Sequence, residues 1–466
     1  MLRRQFPRSG LLISIITVVI YGISVVCSNT ICLYLQNYWD VDNLNFYMYN
    51  NKYPVKLHLL PFLTVLASVC FFKPFVFPTF LFLSGSSLIL FIIIMMFGMN
   101  RSGYRLGDMP YKNLFILYAI FLIINTFSCH YFREQSVWLS FKCVAPFFLV
   151  FIMPTFKSWK LSNESWEKIL LTLFAIYIIC NYLQYIFIDT QLFYLMKEFK
   201  RMEIEKRAVL FGEGILSLGA LMCLNRYLLN KQKKYLIVYI AAFFLLFLHG
   251  FRMMLLGFGI ASLCQTYAII KFSRKWFAYL GIALITAVVL YQMPAVQEKI
   301  KEIETRSESS SITDENYARY KSWYYFNNAY FKNDVERFLG SGQTIIYSKG
   351  RQQNESGLSY LSKYSKERSE LVYHYYIWSV DWGLIGLSWD CGIPFTIVFI
   401  LILFSMFRQK VRTEHRYINF WALMLMLIGV TGALSYTENI FIYYAVLLTI
   451  IDRDITDRKR SLIAKQ

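Results

Sequence analysis

The sequence predicts an all-α fold: a polytopic membrane bundle of about twelve transmembrane helices with one large helical loop outside the membrane. The first observation behind this prediction is composition, since 57% of the residues are hydrophobic, only 17% are charged, and the mean hydropathy is +0.42. The second is that the apolar residues form blocks such as "LLISIITVVIYGISVVC", which are long enough to cross a hydrocarbon core of roughly 30 Å. The third is that basic residues flank these blocks in short loops.

The formal net charge of +19 would suit a nucleic-acid partner, but the basic residues lie beside apolar spans. They cluster in "NKQKK", "KFSRKW", "FRQKVRTEHR" and "DRKRSLIAKQ". Short basic loops of this kind stay on the cytoplasmic side of a membrane. The pattern therefore places these loops and both termini in the cytoplasm, and it argues against nucleic acid as a partner.

Apolar spans follow one another along most of the chain, with the largest break before residue 374. They are predicted at 11–35, 57–72, 76–98, 113–129, 136–154, 168–188, 208–229, 235–249, 253–271, 276–292, 374–406, 418–434 and 437–451. Two cytoplasmic termini require an even number of crossings, so one of these is not a full span. Pro61, Lys73, Pro74 and Pro78 interrupt the early apolar stretch, which favours a hairpin or half-span there. The basic N-terminus resembles a signal peptide without a convincing cleavage site, which favours an uncleaved first span.

The nine cysteines lie in or beside apolar stretches, their number is odd, and no two are spaced as a Cys-x-x-Cys pair. We interpret them as small buried hydrophobic residues, because neither a disulfide framework nor a metal site has this pattern.

Three regions follow from the apolar and polar blocks: N-terminal membrane helices in 1–292, a large extracytoplasmic loop in 293–373, and C-terminal membrane helices with a cytoplasmic tail in 374–466. Within the loop, "QEKIKEIETRSESSSITDEN" predicts a helix that breaks into a polar turn. "YARYKSWYYFNNAYFKNDVERFLG" predicts one amphipathic helix ahead of a Gly-Ser-Gly turn. Loops longer than about 12–15 residues are usually functional or disordered.

Charged residues at the outer lips of the middle spans are candidate site residues. Arg207 lies where an outer loop enters a span, Glu213 lies a few residues deeper, and Arg252 lies in a tight outer turn between two apolar spans. An ionisable residue at such a depth costs several kcal/mol unless it is paired or solvated, so it marks a site by default. For Arg207, snorkelling to lipid headgroups is the alternative interpretation.

The outer loop and the span after it supply the remaining candidates. Arg319 and Trp323 are four residues apart and share a helix face, as do Glu370 and His374. Trp323 fits a packing or interfacial role better than a sugar platform, and it is retained as a substrate-binding candidate. His374 is one of five histidines and begins a predicted span. Arginine forks bind phosphate oxygens, and a nearby His could accept a proton from an incoming hydroxyl.

Four segments, in order, resemble motifs of the O-antigen polymerase and O-antigen ligase superfamily. "RAVLFGEG" is similar to its arginine-containing start of a middle span, and "HGFRMMLLG" to its Ser-Arg-x-x-Leu-Leu turn, with Phe251 at the serine position. "ARYKSWYYFNNAYFKNDVERFLGSG" resembles its Arg-x-x-x-Trp helix leading to Gly-x-Gly. "ELVYHYYIWSVDWGLIGL" resembles its His-Asn segment, with Tyr375 at the asparagine position. The resemblance spans about residues 110–450.

The resemblance implies a polymerase of bacterial surface-polysaccharide repeat units, such as O-antigen or capsule, in the inner membrane. It would transfer a glycan from an undecaprenyl-pyrophosphate-linked oligosaccharide to an acceptor sugar hydroxyl at the outer face. Arg252 and Arg319 would hold the pyrophosphate, Arg207 would support donor or acceptor binding, and His374 would act as general base, with Glu370 orienting its ring. Glu213 and Trp323 would line the substrate site. No metal or cofactor is implied. Membrane lipids and a chain-length regulator protein are the implied further partners.

Three alternatives stay open at the sequence level. The first is an O-antigen ligase of the same superfamily. The second is a glycosyltransferase that uses lipid-linked sugars and a metal held by Asp40 and Asp42 in "YWDVDN". The third is a polysaccharide flippase or transporter, which the lack of an evident internal repeat disfavours.

Overall fold

A computed structural model shows overwhelmingly helical structure in the part of the chain that it describes. It describes residues 45–48, 55–58, 61–62, 65, 109–187, 213–249, 252–271, 281, 297, 318–343, 379, 382–430, 432 and 440–464. Two short strands, β1 and β2, span Asn45–Met48 and Val55–His58 and pair in antiparallel register, Asn45 opposite His58. The helices are α1 (Lys112–Arg133), α2 (Val137–Val144), α3 (Met153–Ser158), α4 (Asn163–Ile186), α5 (Glu213–Asn230), α6 (Lys233–His249), α7 (Arg252–Ile270), α8 (Ala318–Asn328), α9 (Asp334–Leu339), α10 (Gly383–Cys391), α11 (Ile393–Arg408), α12 (Tyr417–Gly429) and α13 (Ile440–Ile463). Two 3₁₀ segments lie at Ala145–Ile152 and Thr413–His415.

Three stretches among the described residues are long and apolar enough to cross a membrane: α1, α4 and Met253–Ile270 of α7. In α4, local sequence features account for both the start of the helix and its membrane-spanning length. Ser162 caps its N-terminus by accepting a hydrogen bond from the Ser165 backbone N–H at 3.1 Å, and a long apolar run follows. The helical class and the membrane-length helices of the prediction are thus confirmed, whereas about twelve spans stays a prediction.

The centre of the core is formed by α13 and α5. Every residue from Ile440 to Ile451 of α13 is buried, on all faces of the helix. A helix that is apolar all round needs neighbours on every side. α13 finds them in α4, α5, α3 and the Ala145–Ile152 segment, while α5 packs on α4, α6, α7 and α12.

The bundle has two chemically different ends. One end holds the C-terminus of α1 at Arg133 with α8, α9 and α10, and we call it the loop end. The other holds the turn at 157–162, the Thr413–His415 segment and the polar half of α13, and we call it the charged end. α1 runs between them: Tyr111, just before its first residue, donates to the Ser405 carbonyl oxygen at 3.2 Å, and Arg133 is its last residue.

The prediction of one span over 374–406 was wrong where the structure describes it. α10 ends at Cys391, and α11 begins at Ile393 after Gly392, whose φ is 91°. Only glycine adopts such a φ without cost, and Pro394 suits the first turn of α11. The apolar pattern runs through this corner, so hydropathy alone does not reveal it.

Two other predicted spans differ in their limits. The span at 136–154 is a composite of α2, the 3₁₀ segment and α3, because Pro146 and Pro154 each lie in the first turn of a new helical segment. The span at 437–451 is the apolar half of a longer helix, since α13 continues through a polar, charged sequence to Ile463. The predicted cytoplasmic tail is therefore largely helical.

The strand pair corrects the early part of the chain. The predicted span at 57–72 overlaps β2, which includes Leu57 and His58, so the all-α description holds for the rest of the described chain and not for this pair. The spans predicted at 11–35, 76–98 and, apart from Gly281, 276–292 lie outside the described residues, as do both predicted region boundaries, 292/293 and 373/374.

The loop segment predicted as one amphipathic helix forms two, α8 and α9, separated by a turn. The Tyr330 carbonyl oxygen in this turn accepts a hydrogen bond from Arg133 Nη2 at 2.5 Å. Asn333 then caps α9 by accepting from the Glu336 backbone N–H at 2.8 Å. A contact with α1 and a local cap therefore decide the break.

Candidate functional site

Three tryptophans join α8 of the loop to α10. The ring of Trp323 lies 4.8 Å from that of Trp382 and 5.9 Å from that of Trp389, and the last two are 6.2 Å apart. Trp323 keeps 41% of its surface exposed, whereas Trp389 is buried. We call Trp323, Trp382 and Trp389 the tryptophan cluster; it has a packed base and an accessible aromatic edge.

The base of the cluster is a small aromatic core beneath the loop. Phe326 stacks nearly parallel on Trp389, with ring centroids 4.6 Å apart and an interplanar angle of 7°. Tyr330 meets Phe326 edge to face at 4.5 Å. All three residues are buried, separately from the main core. Offset and edge-to-face pairs stabilise such a core beyond simple burial, so α8 has a defined position on α10.

Arg319 lies one turn before Trp323 and touches the same cluster through its backbone. Its carbonyl oxygen accepts a hydrogen bond from Trp382 Nε1 at 3.3 Å. Its side chain is partly exposed and forms no ion pair with any carboxylate that the structure describes. Arg319 therefore adds a partly exposed guanidinium, which can donate to a ligand, to the helix that carries the exposed edge of Trp323.

A buried ion pair fixes α9 against the end of α1. Arg133 Nη2 lies 2.5 Å from Glu336 Oε1, and the two side chains are only 3% and 0% exposed. The Arg133 guanidinium also lies 4.4 Å above the Tyr330 ring, and Glu336 Oε2 accepts from the Lys332 backbone N–H at 2.7 Å. Charges removed from water in this way must stay paired, so the contact holds the loop in one position.

The Gly-Ser-Gly turn fits closely into the corner between α10 and α11. The Ser341 and Gly342 N–H groups donate to the carbonyl oxygens of Trp389 and Asp390 at 3.2 and 2.8 Å. A Cβ on Gly340, whose φ is 82°, would lie 2.3 Å from the Gly392 nitrogen. The glycines are therefore required for close approach of two backbones.

The chain ahead of α10 is tied to the same corner at Ser379. Its Oγ donates to Asp390 Oδ2 at 2.6 Å, and both residues are buried. The Asp390 carbonyl oxygen also accepts from Asn125 Nδ2 of α1 at 2.7 Å. Ser379 follows His374 by five positions in the sequence.

The structure brings together two of the predicted site residues, Arg319 and Trp323, on α8. Arg252 is the first residue of α7 and Glu213 the first of α5, and the structure describes their helices but not their side chains. Arg207, Glu370 and His374 lie outside the described residues, as do Asp40 and Asp42. Among the described residues, no group of three or more His, Cys, Asp or Glu side chains is arranged to hold a metal ion.

Several residues at this end were missed by the sequence analysis. Trp382 and Trp389 are seven residues apart and thus share a helix face, a spacing that could have identified them. His249, the last residue of α6, is fully buried and its Nε2 lies 3.2 Å from Asn181 Oδ1 of α4. Its position three residues before Arg252 is readable from the sequence, but its pairing with Asn181 is a tertiary contact.

Comparison with protein-family models gives no match for this chain, and no curated protein matches it either. The candidate site therefore rests on the geometry of the loop end and on the motif resemblance of the sequence.

Proposed function

We propose that the chain is a membrane glycosyltransferase that polymerises the repeat units of a bacterial surface polysaccharide. It takes a glycan from an undecaprenyl-pyrophosphate donor and transfers it to an acceptor sugar hydroxyl at the outer face of the inner membrane. In this proposal the loop end faces outward and both termini lie in the cytoplasm, as the basic loops of the sequence favour.

One observation carries the proposal: two motifs about sixty residues apart meet in space. The Arg319–Trp323 helix contacts the segment that follows His374, through the 4.8 Å contact between Trp323 and Trp382 and the bond from Trp382 Nε1 to the Arg319 carbonyl oxygen. Neither contact is needed to bury a membrane span. Both are expected if the two motifs serve one site.

The residue types fit the two halves of the substrate. An exposed tryptophan edge suits the apolar face of a sugar ring, and ligand sites combine such aromatic surfaces with a few oriented polar groups. The planar guanidinium of Arg319 suits two oxygens of a pyrophosphate and keeps its charge at any working pH. The exposed tryptophan edge would therefore bind the glycan, and Arg319 would bind the pyrophosphate.

The reaction that follows is a displacement at the anomeric carbon of the donor glycan. The acceptor hydroxyl oxygen forms the new glycosidic bond, the bond from the anomeric carbon to the pyrophosphate oxygen breaks, and lipid pyrophosphate leaves. The hydroxyl proton passes to a base, the role proposed for His374 with Glu370 beside it. Arg252 and Arg319 would stabilise the charge on the leaving group, and Arg207, Glu213 and Trp323 would bind the substrates.

Deletion of the gene, followed by sizing of surface glycans, tests the class of activity. A polymerase predicts surface chains reduced to single repeat units. Normal-length chains that remain on the carrier lipid would instead indicate the ligase of the same superfamily. Lipid-linked single units that accumulate on the cytoplasmic face would indicate a flippase and overturn the proposal.

Arg319→Ala tests the site itself in a complemented deletion strain. We expect loss of polymer with normal membrane insertion, and poor rescue by Arg319→Lys because the fork is lost. Arg337→Ala is the matched control, since Arg337 is an exposed arginine on neighbouring α9 whose side chain donates to Asn327 Oδ1 at 3.1 Å. Full polymer length in Arg319→Ala would remove Arg319 from the site.

A further inference from the structure

A polar cavity of about 1140 Å³ opens at the charged end, on the opposite side of the bundle from the tryptophan cluster. Its walls come from α3, α4, α5, the Thr413–His415 segment and α13. Cavities that hold small molecules usually measure roughly 300–1,000 Å³, so this one has room for a ligand. The proposed glycosyl transfer makes no use of it.

Most carboxylates that line the cavity are already neutralised by side chains of the protein. The pairs are Asp452 with Lys157 at 2.7 Å, Glu167 with Arg226 at 2.8 Å, Asp457 with Arg412 at 2.5 Å, and Glu164 with Lys168 at 2.9 Å. His415 lies behind this wall, with Nδ1 2.8 Å from Asp454 Oδ2 and Nε2 3.8 Å from Glu167 Oε1. These contacts tie α3, α4, α5 and the 413–415 segment to one another and to α13.

The remaining charges of the lining are mainly cationic. Three cations of the lining, Lys160, Arg453 and Arg460, form no ion pair with any carboxylate among the described residues. Among the described carboxylates of the lining, Glu414 alone forms no ion pair with a cation of the protein. Three cations against one carboxylate leave a net charge of +2 without internal partners. Glu414 is exposed, so its charge is largely screened by water.

Arg453 is the most informative of these cations because it is only partly exposed. Burial lowers the pKa of its guanidinium below the usual value, and the charges of Asp452 and Asp457 offset this only in part. A partly buried cation that lacks a direct partner is costly, and a bound anion would remove that cost.

The N-terminus of α4 adds to the same preference. Ser162, its N-cap, and Asn163, its first residue, both line the cavity. The first backbone N–H groups of a helix and its dipole favour negative charge, which is why phosphate groups often bind there. The N-terminus of α4 and the three cations thus border the same cavity, and both favour an anion there.

We propose that this cavity binds a phosphate-bearing anion, with Arg453, Arg460 and Lys160 as its cationic ligands. Arg453 and Arg460 are seven residues apart and so lie two turns apart on one face of α13. They face a volume bordered by Lys160 in the turn before α4. The phosphate belongs either to a soluble metabolite or to the headgroup of an anionic lipid, and both present the same oxygens to the site.

Isothermal titration calorimetry of the purified full chain in a neutral detergent tests whether the cavity binds a soluble phosphate compound, with inorganic pyrophosphate as the probe. We expect saturable binding that Arg453→Gln weakens by about ten- to a hundredfold, the usual effect of losing charge-assisted hydrogen bonds. Lys459→Gln is the matched control, because Lys459 is an exposed cation of the same helix that does not line the cavity. It should bind the probe as the unaltered chain does.

Native mass spectrometry tests the lipid source, after incubation with phosphatidylglycerol or with phosphatidylcholine as the neutral control. Retention of phosphatidylglycerol alone, lost in Arg453→Gln and kept in Lys459→Gln, would identify a lipid headgroup as the occupant. If Arg453→Gln lowers the melting temperature of the unliganded chain, Arg460→Gln replaces it, since Arg460 is exposed. The proposal is overturned if neither probe binds, or if the Lys459 control loses as much binding as the cavity variants.

Discussion

The two ends of the bundle use the same residue types in opposite ways. At the loop end, one ion pair is fully enclosed, with Arg133 and Glu336 only 3% and 0% exposed, and aromatic rings fill the surrounding space. At the charged end, pairs such as Arg412 and Asp457 remain 48% and 46% exposed and border an open cavity. The first end is packed to hold a loop still, whereas the second leaves room for water or a ligand.

The difference follows from what each end must join. The loop end attaches a polar loop to helices that are already packed, so its contacts exclude water and fix a single geometry. The charged end joins helix termini that carry basic residues, and its outer pairs, such as Arg412 with Asp457, stay solvated and are individually weak. The contact of His415 with Asp454 behind the cavity wall is a buried exception at that end.

The largest expected effect is at the buried pair. Glu336→Gln leaves the Arg133 charge enclosed without its carboxylate, and we expect a loss of about 3–5 kcal/mol in the free energy of unfolding. The double variant Arg133→Met, Glu336→Leu should recover most of this loss, because it removes both charges. Thermal unfolding in detergent measures both. A single variant as stable as the unaltered chain would contradict the account of the loop end.

A smaller effect is expected at the corner between α10 and α11. Gly392→Ala places a Cβ 2.3 Å from the Leu339 carbonyl oxygen at a φ of 91°, and the strained backbone alone costs about 1–3 kcal/mol. Gly259→Ala is the matched control, since a Cβ on Gly259 in α7 meets nothing within 4 Å. It should be neutral or stabilising by up to about 1 kcal/mol. Equal melting temperatures for the two variants would show that the loop turn does not pack on this corner.

The smallest effect is expected at the exposed pair of the charged end. Asp457→Asn should change the free energy of unfolding by less than about 1 kcal/mol, and the change should shrink further at high salt. The measurement is again thermal unfolding, at low and high ionic strength. A loss as large as that of Glu336→Gln would mean that the two ends are not built differently.

The sequence predicted the helical class, and the limits of α1, α4, α5, α6 and α7 lie within a few residues of their apolar blocks. These limits are local properties, since an apolar run and its polar flanks set the ends of a membrane-length helix. The Arg319–Trp323 pairing on one helix face was likewise readable, because it depends only on helical periodicity. The hydropathy pattern did not predict the break at Gly392, because apolar sequence continues on both sides of the corner. It also did not predict that α13 extends beyond Ile451, because hydropathy does not distinguish a polar helix from a polar loop.

The residue types available at each end can thus be read directly from the sequence: basic residues in short turns, aromatic residues in the loop and after it, and apolar helices between them. Their contact partners emerge only when the helices pack. Trp382 rather than another aromatic meets Trp323, Glu336 meets Arg133 from 203 positions away, and His415 meets Asp454 and Glu167 from two different helices. Burial and pairing depend on which surfaces exclude water together, and residues distant in sequence lie on such shared surfaces only once the helices have packed.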